Sequence, residues 1–396
     1  MTMCSRIRQA VSGEHLNQSR GYSTAAGVAR QVVGVLLLLV VAFGSAGFGP
    51  PVITDGGYPP VRLDPDGVQA LSRSRRPPPV TATSALVVDL DSGQTLYSRN
   101  SEDGLPPAST VKIMTALVTL QRANLDDVVQ ISARAAGAEG SRMGLASGEK
   151  LTVRDLLYGL LLPSGNDAAV ALAEHVAGSE EAFVELMNST ASGLGLAGTH
   201  FTSSDGMDSP GETVSAADLV ALTRAALAYP VFSEIVAAPA ASVAGRKLVN
   251  TNQLLSTFPG ADGVKTGTTD AAGECLVASV TRDGHRLLVV LLGSQDRYGE
   301  ASALLSWANG GWQWRSVSLP DNALAWEIDP AGRRYRLHSA ESQDVFLPAW
   351  QWPLARVDRR LNPILPLSST VPIGTLTMTL GGSPVVQMPL AVWASP

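Results

Sequence analysis

The sequence predicts an α+β fold with one antiparallel sheet, followed by a small β-rich domain. Strand-like apolar runs lie at 84–98 and at 275–292, and the Ala- and Leu-rich residues from 108 to 235 have a helical pattern. Strands at both ends of a helical stretch predict one antiparallel sheet with helices packed on it. Beyond residue 308 the composition changes, since six of the seven Trp lie there.

Composition excludes several classes of function. The chain has 396 residues, a net charge of -6 and a Lys+Arg count of 29 against 35 acids. Because the basic residues form no dense run, a nucleic-acid partner is not expected. The five His are scattered along the chain without the spacing of metal ligands, so neither a metal nor another cofactor is expected.

The N-terminus has the pattern of an export or membrane segment. Residues 32–48 carry no charge, which is near the short limit for a spanning helix. Four Arg and a single acid, Glu14, precede them, so residues 1–30 are predicted to be a cytoplasmic tail. Residues 31–48 are then either an uncleaved transmembrane signal anchor or a signal peptide cleaved near 44–46. In both cases the remainder lies outside the cytoplasm.

The rest of the chain divides into three predicted parts. Residues 49–80 contain eight Pro and are predicted to form an extended linker. Residues 81–307 hold the strand and helix signals of the main domain, and residues 308–396 are predicted to form the β-rich C-terminal domain. The length of the chain agrees with two domains plus tails.

The first of three short motifs pairs a serine with a lysine. Two Pro precede Ser109 and an apolar run follows it, so a helix is predicted to start there, with Lys112 on the same face as Ser109. A serine hydroxyl needs a neighbouring base before it becomes a nucleophile. Apolar neighbours and the helix N-terminus disfavour the charged form of Lys112, which would make it such a base.

The second motif is a loop that interrupts an apolar helix. Pro163 and Gly165 break the helix and leave Ser164 and Asn166 on an exposed turn. Ser164 can relay a proton, and Asn166 can orient Lys112 and bind a substrate amide. An ordinary helix cap is the alternative interpretation of this motif alone.

The third motif opens a strand. Lys265 and Thr266 offer a positive charge and a hydroxyl, which suit a carboxylate, and Gly267 lets a substrate backbone approach closely. Each motif alone is a weak signal. All three in this order predict an acyl-transferring serine enzyme with a lysine base.

These motifs occur within a longer pattern. The chain over about 80–307 resembles the D-alanyl-D-alanine carboxypeptidases, the low-molecular-weight penicillin-binding proteins. The resemblance extends to the runs Gly140–Leu145, Leu156–Leu162, Ala173–Ser179 and Gly263–Gly267. It implies a β-lactamase/DD-peptidase-like catalytic domain, an antiparallel sheet with a helical subdomain. It also implies two partners, a peptidoglycan stem peptide ending in D-Ala-D-Ala and the β-lactam antibiotics as covalent inhibitors.

The resemblance assigns catalytic roles. Ser109 attacks the carbonyl between the two terminal D-Ala residues, and Lys112 accepts its proton. Ser164 helps to deliver a proton to the departing D-Ala. The backbone N–H groups of Ser109 and Thr268 form an oxyanion hole, in which each donor is worth ~3 kcal/mol.

The resemblance also implies a site for the terminal carboxylate of the substrate. Lys265 and Thr266 hold this carboxylate, and Arg297 matches the family position of a further contact. Two stretches depart from the family pattern: residues 205–218 follow it loosely, and Glu274 stands in place of an aromatic residue.

Two other functions remain open at this stage. A β-lactamase of the same fold needs a carboxylate between the second and third motifs, and Glu185 lies too soon after Ser164 to fill that place. A catalytically silent cell-wall sensor is the other, although such a protein usually loses a motif residue. The expected location is the extracytoplasmic face of the bacterial cytoplasmic membrane, or a secreted or periplasmic one after cleavage.

Overall fold

The computed structural model describes residues 76–339, 341–362 and 371–393. The predicted tail, the predicted membrane segment and most of the predicted linker therefore lie outside the described residues. The predicted α+β class is confirmed, because helices pack on an antiparallel sheet and a β-rich part follows.

The described residues up to 311 contain both strands and helices. The strands are β1 (Ser84–Asp89), β2 (Thr95–Arg99), β3 (Val128–Gln130), β4 (Lys150–Thr152), β5 (Ala240–Val243), β6 (Arg246–Val249), β7 (Ala261–Thr269), β8 (Gly273–Arg282) and β9 (His285–Ser294). The helices are α1 (Lys112–Arg122), α2 (Ala133–Ala136), α3 (Val153–Leu161), α4 (Asn166–Ala177), α5 (Glu180–Gly193), α6 (Ala216–Leu227), α7 (Pro230–Ala237), α8 (Leu254–Thr257) and α9 (Arg297–Gly311).

Strands dominate after α9. They are β10 (Trp312–Val317), β11 (Trp326–Ile328), β12 (Arg334–Ser339), β13 (Gln343–Pro348), β14 (Ala355–Leu361), β15 (Gly374–Leu380) and β16 (Ser383–Val392). Five of them form a sheet in the order β11-β12-β16-β15-β14, and β10 pairs with β13. Short 3₁₀ turns lie at Ala323–Ala325 and Trp352–Leu354.

The main sheet has the antiparallel order β2-β1-β9-β8-β7 and is covered on both faces. Side chains of a strand alternate between the two faces. Accordingly, Leu86 and Val88 of β1 join the core under the helices α1 to α7, whereas Ala85 and Val87 join a second core under α9. Among the described residues β7 pairs with β8 alone, so its outer edge remains available to other groups.

The predicted hairpins are observed, and one helix is longer than expected. The turns at 91–94, 282–284 and 381–382 connect β1 to β2, β8 to β9 and β15 to β16. The closing helix, expected at 300–307, begins at Arg297 because the Asp296 carboxylate accepts a hydrogen bond from the Gly299 N–H at 3.0 Å. It ends at Gly311, so residues 308–311 continue the helix rather than starting a β-rich segment.

A tryptophan connects the two parts of the molecule. The Trp314 ring stacks on His285 at 4.1 Å between centroids and on Phe346 at 5.1 Å. Its Nε1 donates a hydrogen bond to Asp89 Oδ2 at 3.0 Å. The β-rich part is therefore docked against the end of the main sheet where β8 turns into β9.

The helices of the described residues differ in length and in apolar character. None of the individual helices there is both long and apolar enough to cross a membrane, and only the bent pair α6 and α7, taken together, reaches that length and composition.

A buried arginine supports the C-terminal sheet. Arg359 of β14 is 2% exposed. Its Nη1 donates to the carbonyl oxygens of Leu324 and Trp326 at 2.9 and 2.8 Å, and its Nη2 lies 2.7 Å from Glu327 Oε2. Removal of the Arg359 side chain would leave the Glu327 carboxylate and the two carbonyl groups without this hydrogen-bond donor.

The substitution Arg359→Ala should therefore lower the free energy of unfolding of this part by about 3 kcal/mol. Urea unfolding followed by Trp fluorescence measures the change, because all seven Trp lie at or beyond residue 307. The neighbouring Arg360 is exposed, and Arg360→Ala is the matched control, with an expected change within about 0.5 kcal/mol. Equal midpoints for the two variants would contradict this role of Arg359.

Candidate active site

The first motif lies where a 3₁₀ turn passes into a buried helix. Residues Ala108–Val111 form the turn, and α1 begins directly at Lys112. This places the Lys112 Nζ 2.8 Å from the Ser109 Oγ, so the predicted nucleophile and base are in contact. Lys112 is fully buried, whereas Ser109 keeps partial exposure.

Two further oxygen atoms surround the Lys112 amine. Its Nζ donates to Asn166 Oδ1 at 2.7 Å and to the Asp205 carbonyl oxygen at 2.6 Å. Both oxygens can only accept hydrogen bonds. A neutral amine has two N–H bonds, so these two acceptors use both and turn the nitrogen lone pair toward the Ser109 hydroxyl. The geometry therefore suits a lysine that takes a proton from Ser109.

Burial also favours that neutral form. Removal from water lowers the pKa of Lys112 from its ordinary 10.5 to about 8. The negative charges of Asp205, Glu212 and Asp167 act in the opposite direction and limit the decrease. Lys112 thus titrates within the pH range in which a base can both accept and release a proton.

The second motif forms a second serine–lysine pair. Ser164 lies between α3 and α4 with a φ of 64°, a left-handed conformation at the break between the helices. The prediction of an exposed turn is wrong, because Ser164 and Asn166 are 5% and 2% exposed and contact buried lysines. The Lys265 Nζ donates to its Oγ at 2.9 Å and to the Thr266 carbonyl at 2.8 Å. Burial lowers the pKa of Lys265 well below its ordinary value, and the charges of Lys112 and Arg297 lower it further.

An anchored loop fixes the amide of Asn166. Its Nδ2 donates to the Glu139 carbonyl at 2.7 Å, while its Oδ1 accepts from Lys112. The adjacent Asp167 carboxylate accepts from the N–H groups of Met143 and Leu145 at 2.9 and 3.0 Å. Both ends of the Asn166 amide are thus engaged within the protein, which supports its expected role in orienting Lys112; its contact with substrate stays a prediction.

The third motif lies on the edge strand β7, next to the nucleophile. A Cβ atom at Gly267 would lie 2.9 Å from both the Ser109 nitrogen and the Ala108 Cβ, so only glycine permits this close approach. Thr266 is buried, and its hydroxyl lies 2.7 Å from that of Thr251. Thr268 is exposed at the end of the strand.

Arg297 joins the site at the N-terminus of α9. Its Nη1 donates to the Gly267 carbonyl at 2.7 Å, and its Nη2 donates to the Thr268 Oγ1 at 2.6 Å. Its Nε lies 3.5 Å from Glu274 Oε2, the acid that stands where the family has an aromatic residue. All the predicted site residues are therefore gathered around Ser109 and the edge of β7.

Sequence reasoning missed the loop that carries the Asp205 carbonyl. This oxygen lies 3.5 Å from the Ser109 Oγ as well as close to Lys112. The next residue, Gly206, has a φ of 80°, and a Cβ there would lie 2.1 Å from the Ala108 carbonyl oxygen. The Asp-Gly pair was the only local signal, since a backbone carbonyl contributes to the site without any side-chain motif.

The described residues include one cysteine and no cluster of metal-ligand side chains. That part of the chain holds no group of three or more His, Cys, Asp or Glu placed to bind a metal ion. Cys275 is fully buried, and burial raises the pKa of its thiol to about 11, which keeps it protonated and unreactive.

Comparisons with known proteins identify the family of the chain. The family of D-alanyl-D-alanine carboxypeptidases matches residues 72–296. The D-alanyl-D-alanine carboxypeptidase DacB2 of Mycobacterium tuberculosis is 41% identical over 238 residues, which cover 57% of this chain and 81% of that protein. DacF of Bacillus subtilis, with the same description, is 30% identical over 328 residues, 78% of this chain and 84% of its own.

Solved structures lead to the same family. Penicillin-binding protein 6B from Escherichia coli is similar with a TM-score of 0.64 and 30% identity, over 79% of this chain and 96% of that one. The predicted DD-peptidase-like fold and the resemblance are thereby confirmed. These matches show that the chain, whose three motifs meet around Ser109, belongs to the D-alanyl-D-alanine carboxypeptidase family.

Proposed function

We propose that this protein is a serine-type D-Ala-D-Ala carboxypeptidase, which removes the terminal D-Ala from peptidoglycan stem peptides through an acyl-enzyme on Ser109. The observation that carries the proposal is the fully buried Lys112 amine, 2.8 Å from the Ser109 Oγ. Membership of the family supplies the reaction and the substrate class.

Acylation begins at the Ser109 hydroxyl. Lys112 takes its proton while the Oγ attacks the carbonyl carbon of the D-Ala-D-Ala bond. Asn166 and the Asp205 carbonyl keep the amine in place, so little reorganisation is needed in the transition state. The N–H groups of Ser109 and Thr268 donate hydrogen bonds to the oxygen that becomes negatively charged. A Cβ atom at Gly267 would lie 2.9 Å from the Ser109 nitrogen, which supports the closeness of this strand to Ser109.

The departing D-Ala needs a proton on its nitrogen. Ser164 is the proposed donor, since its hydroxyl is buried beside the amine of Lys265 at 2.9 Å. The Lys265 amine, 2.9 Å away, replaces the proton that Ser164 gives up, and the proton that Lys112 took from Ser109 passes to Lys265, so both lysines return to their starting states. Water then attacks the acyl-enzyme: neutral Lys112 takes a proton from this water and returns it to the Ser109 Oγ as the bond between Oγ and the acyl carbon breaks.

The terminal carboxylate of the substrate binds along the end of β7. Lys265 and Thr266 form the buried part of this anion site, and Thr268 with Arg297 forms its exposed part. A bound carboxylate favours the protonated form of Lys265 and so offsets the cost of burying its charge. β-Lactams carry an equivalent carboxylate, which explains penicillin binding in this scheme.

The experiment that tests this function is release of free D-alanine from an acyl-L-Lys-D-Ala-D-Ala peptide by the full chain. Wild type should release D-alanine, and Ser109→Ala should reduce the release by about 10⁴-fold or more, because the nucleophile is lost. The two proteins should have the same thermal unfolding midpoint, which excludes misfolding as the cause.

The same samples separate the alternatives. Folded wild-type protein that releases no D-alanine and forms no covalent adduct with benzylpenicillin would contradict the proposal and favour a cell-wall sensor. Rapid turnover of a chromogenic cephalosporin without D-alanine release would favour a β-lactamase. A slow, stoichiometric penicillin adduct that Ser109→Ala abolishes supports the carboxypeptidase.

The enzyme acts outside the cytoplasm, where its substrate is located. Residues 32–48, which lie outside the described part of the chain, are proposed to anchor it in the membrane or to be removed as a signal peptide. Fractionation with N-terminal sequencing distinguishes the two. Recovery of the protein in the cytoplasm with its first residues intact would contradict both.

A further inference from the structure

The loop that carries the Asp205 carbonyl is held by a buried acid, Glu212. Glu212 is 6% exposed, and its Oε1 accepts hydrogen bonds from the N–H groups of Thr202 and Ser203, both at 3.1 Å. The Ser203 hydroxyl also donates to this oxygen at 3.1 Å. A carboxylate with several such donors fixes the backbone in one place.

The contacts continue from Ser203 to the catalytic lysine. The Gly206 N–H donates to the Ser203 Oγ at 2.9 Å, which closes the turn over residues 203–206. The carbonyl of the intervening Asp205 then meets the Lys112 Nζ at 2.6 Å. The chain of contacts therefore runs from Glu212 through Ser203 to the backbone that contacts Lys112.

Glu212 is itself firmly positioned. The two residues that follow it form backbone pairs with other segments, Thr213 with His200 and Val214 with Leu105. It also lines a cleft of ≈ 320 Å³ next to Pro107 and Ala108, beside the nucleophile. No step of the mechanism above uses this carboxylate, and it lies in the 205–218 segment that departs from the family pattern.

We propose that Glu212 is a positioning residue for acylation: its carboxylate holds the turn 202–206 so that the Asp205 carbonyl keeps Lys112 directed at Ser109. This role rests on the proposed function, since Ser109 and Lys112 must carry the acylation. Glu212 acts through the loop, because its carboxylate is hydrogen-bonded to Thr202 and Ser203 and not to Ser109 or Lys112.

The charge of Glu212 has a second consequence, for the pH range of the reaction. Its negative charge raises the pKa of Lys112 and opposes the effect of burial. Asp205 and Asp167 act in the same direction, while Asn166 and Ser109 contact the amine without a charge. Loss of the Glu212 charge alone should therefore make Lys112 a weaker proton acceptor that is neutral at lower pH.

The experiment compares Glu212→Gln and Glu212→Ala in the full chain. The Gln amide oxygen can still accept from the N–H groups of Thr202 and Ser203, whereas Ala removes both the contact and the charge. The rate of acylation by a fluorescent penicillin and the kcat/KM of D-alanine release are measured between about pH 5 and pH 10.

Glu212→Ala should slow acylation by about 10- to 100-fold, because the carbonyl that orients Lys112 is released. The acylation rate of Glu212→Gln should stay closer to that of wild type at alkaline pH. The acid limb of its pH–rate profile, which reports deprotonation of Lys112, should move to lower pH by on the order of 0.5 pH unit. A purely structural role of Glu212 would lower the rate without displacing this limb.

Glu180→Gln is the matched control. The Glu180 Oε1 accepts from the Ser204 hydroxyl at 2.7 Å, in the same turn, but its carboxylate is paired with Arg134 at 2.7 Å. Its acid limb should coincide with that of wild type. An unshifted limb in Glu212→Gln, or wild-type acylation by Glu212→Ala, would overturn the role of Glu212. An inactive wild type would instead overturn the proposed function itself.

Discussion

The burial of one lysine amine is the constraint on which the site depends. Lys112 is fully buried, yet its three polar partners are oxygen atoms, Ser109 Oγ, Asn166 Oδ1 and the Asp205 carbonyl. A permanent charge there would be costly, and a neutral amine fits two acceptors and one hydroxyl. Burial therefore makes Lys112 a base, because it disfavours the charged form of the amine.

The fold supplies this burial from separate parts of the chain. The start of α1 provides Ser109 and Lys112, the break between α3 and α4 provides Asn166, and the edge strand β7 approaches the Ser109 nitrogen through Gly267. Lys265 is also buried, and the charge of Lys112 lowers the pKa of Lys265 further. In the proposed mechanism the substrate carboxylate favours the protonated form of Lys265 alone, so that Lys265 acts as an acid and Lys112 as a base.

The sequence predicts the secondary-structure elements and the motifs better than the tertiary contacts between them. The hairpins were predictable because β-strands alternate and turn residues mark their ends, and Lys112 was predictable as a base from its apolar neighbours. The Asp205 carbonyl was not, because a backbone acceptor leaves no side-chain motif. The position of Glu212 depends equally on tertiary contacts with Thr202 and Ser203. The length of α9 was underestimated because its cap, Asp296, precedes the apolar pattern.

The most direct test of the central claim is an NMR titration of the lysine side chains. The chain has only four lysines, Lys112, Lys150, Lys247 and Lys265, so a protein labelled with ¹³C at lysine Cε gives few signals. Arg substitutions of the exposed Lys150 and Lys247 assign theirs, and the remaining buried pair is distinguished with Lys265→Arg. The Lys112 signal should titrate with a pKa near 8. A midpoint at the ordinary 10.5 would contradict the view that burial makes this lysine the base.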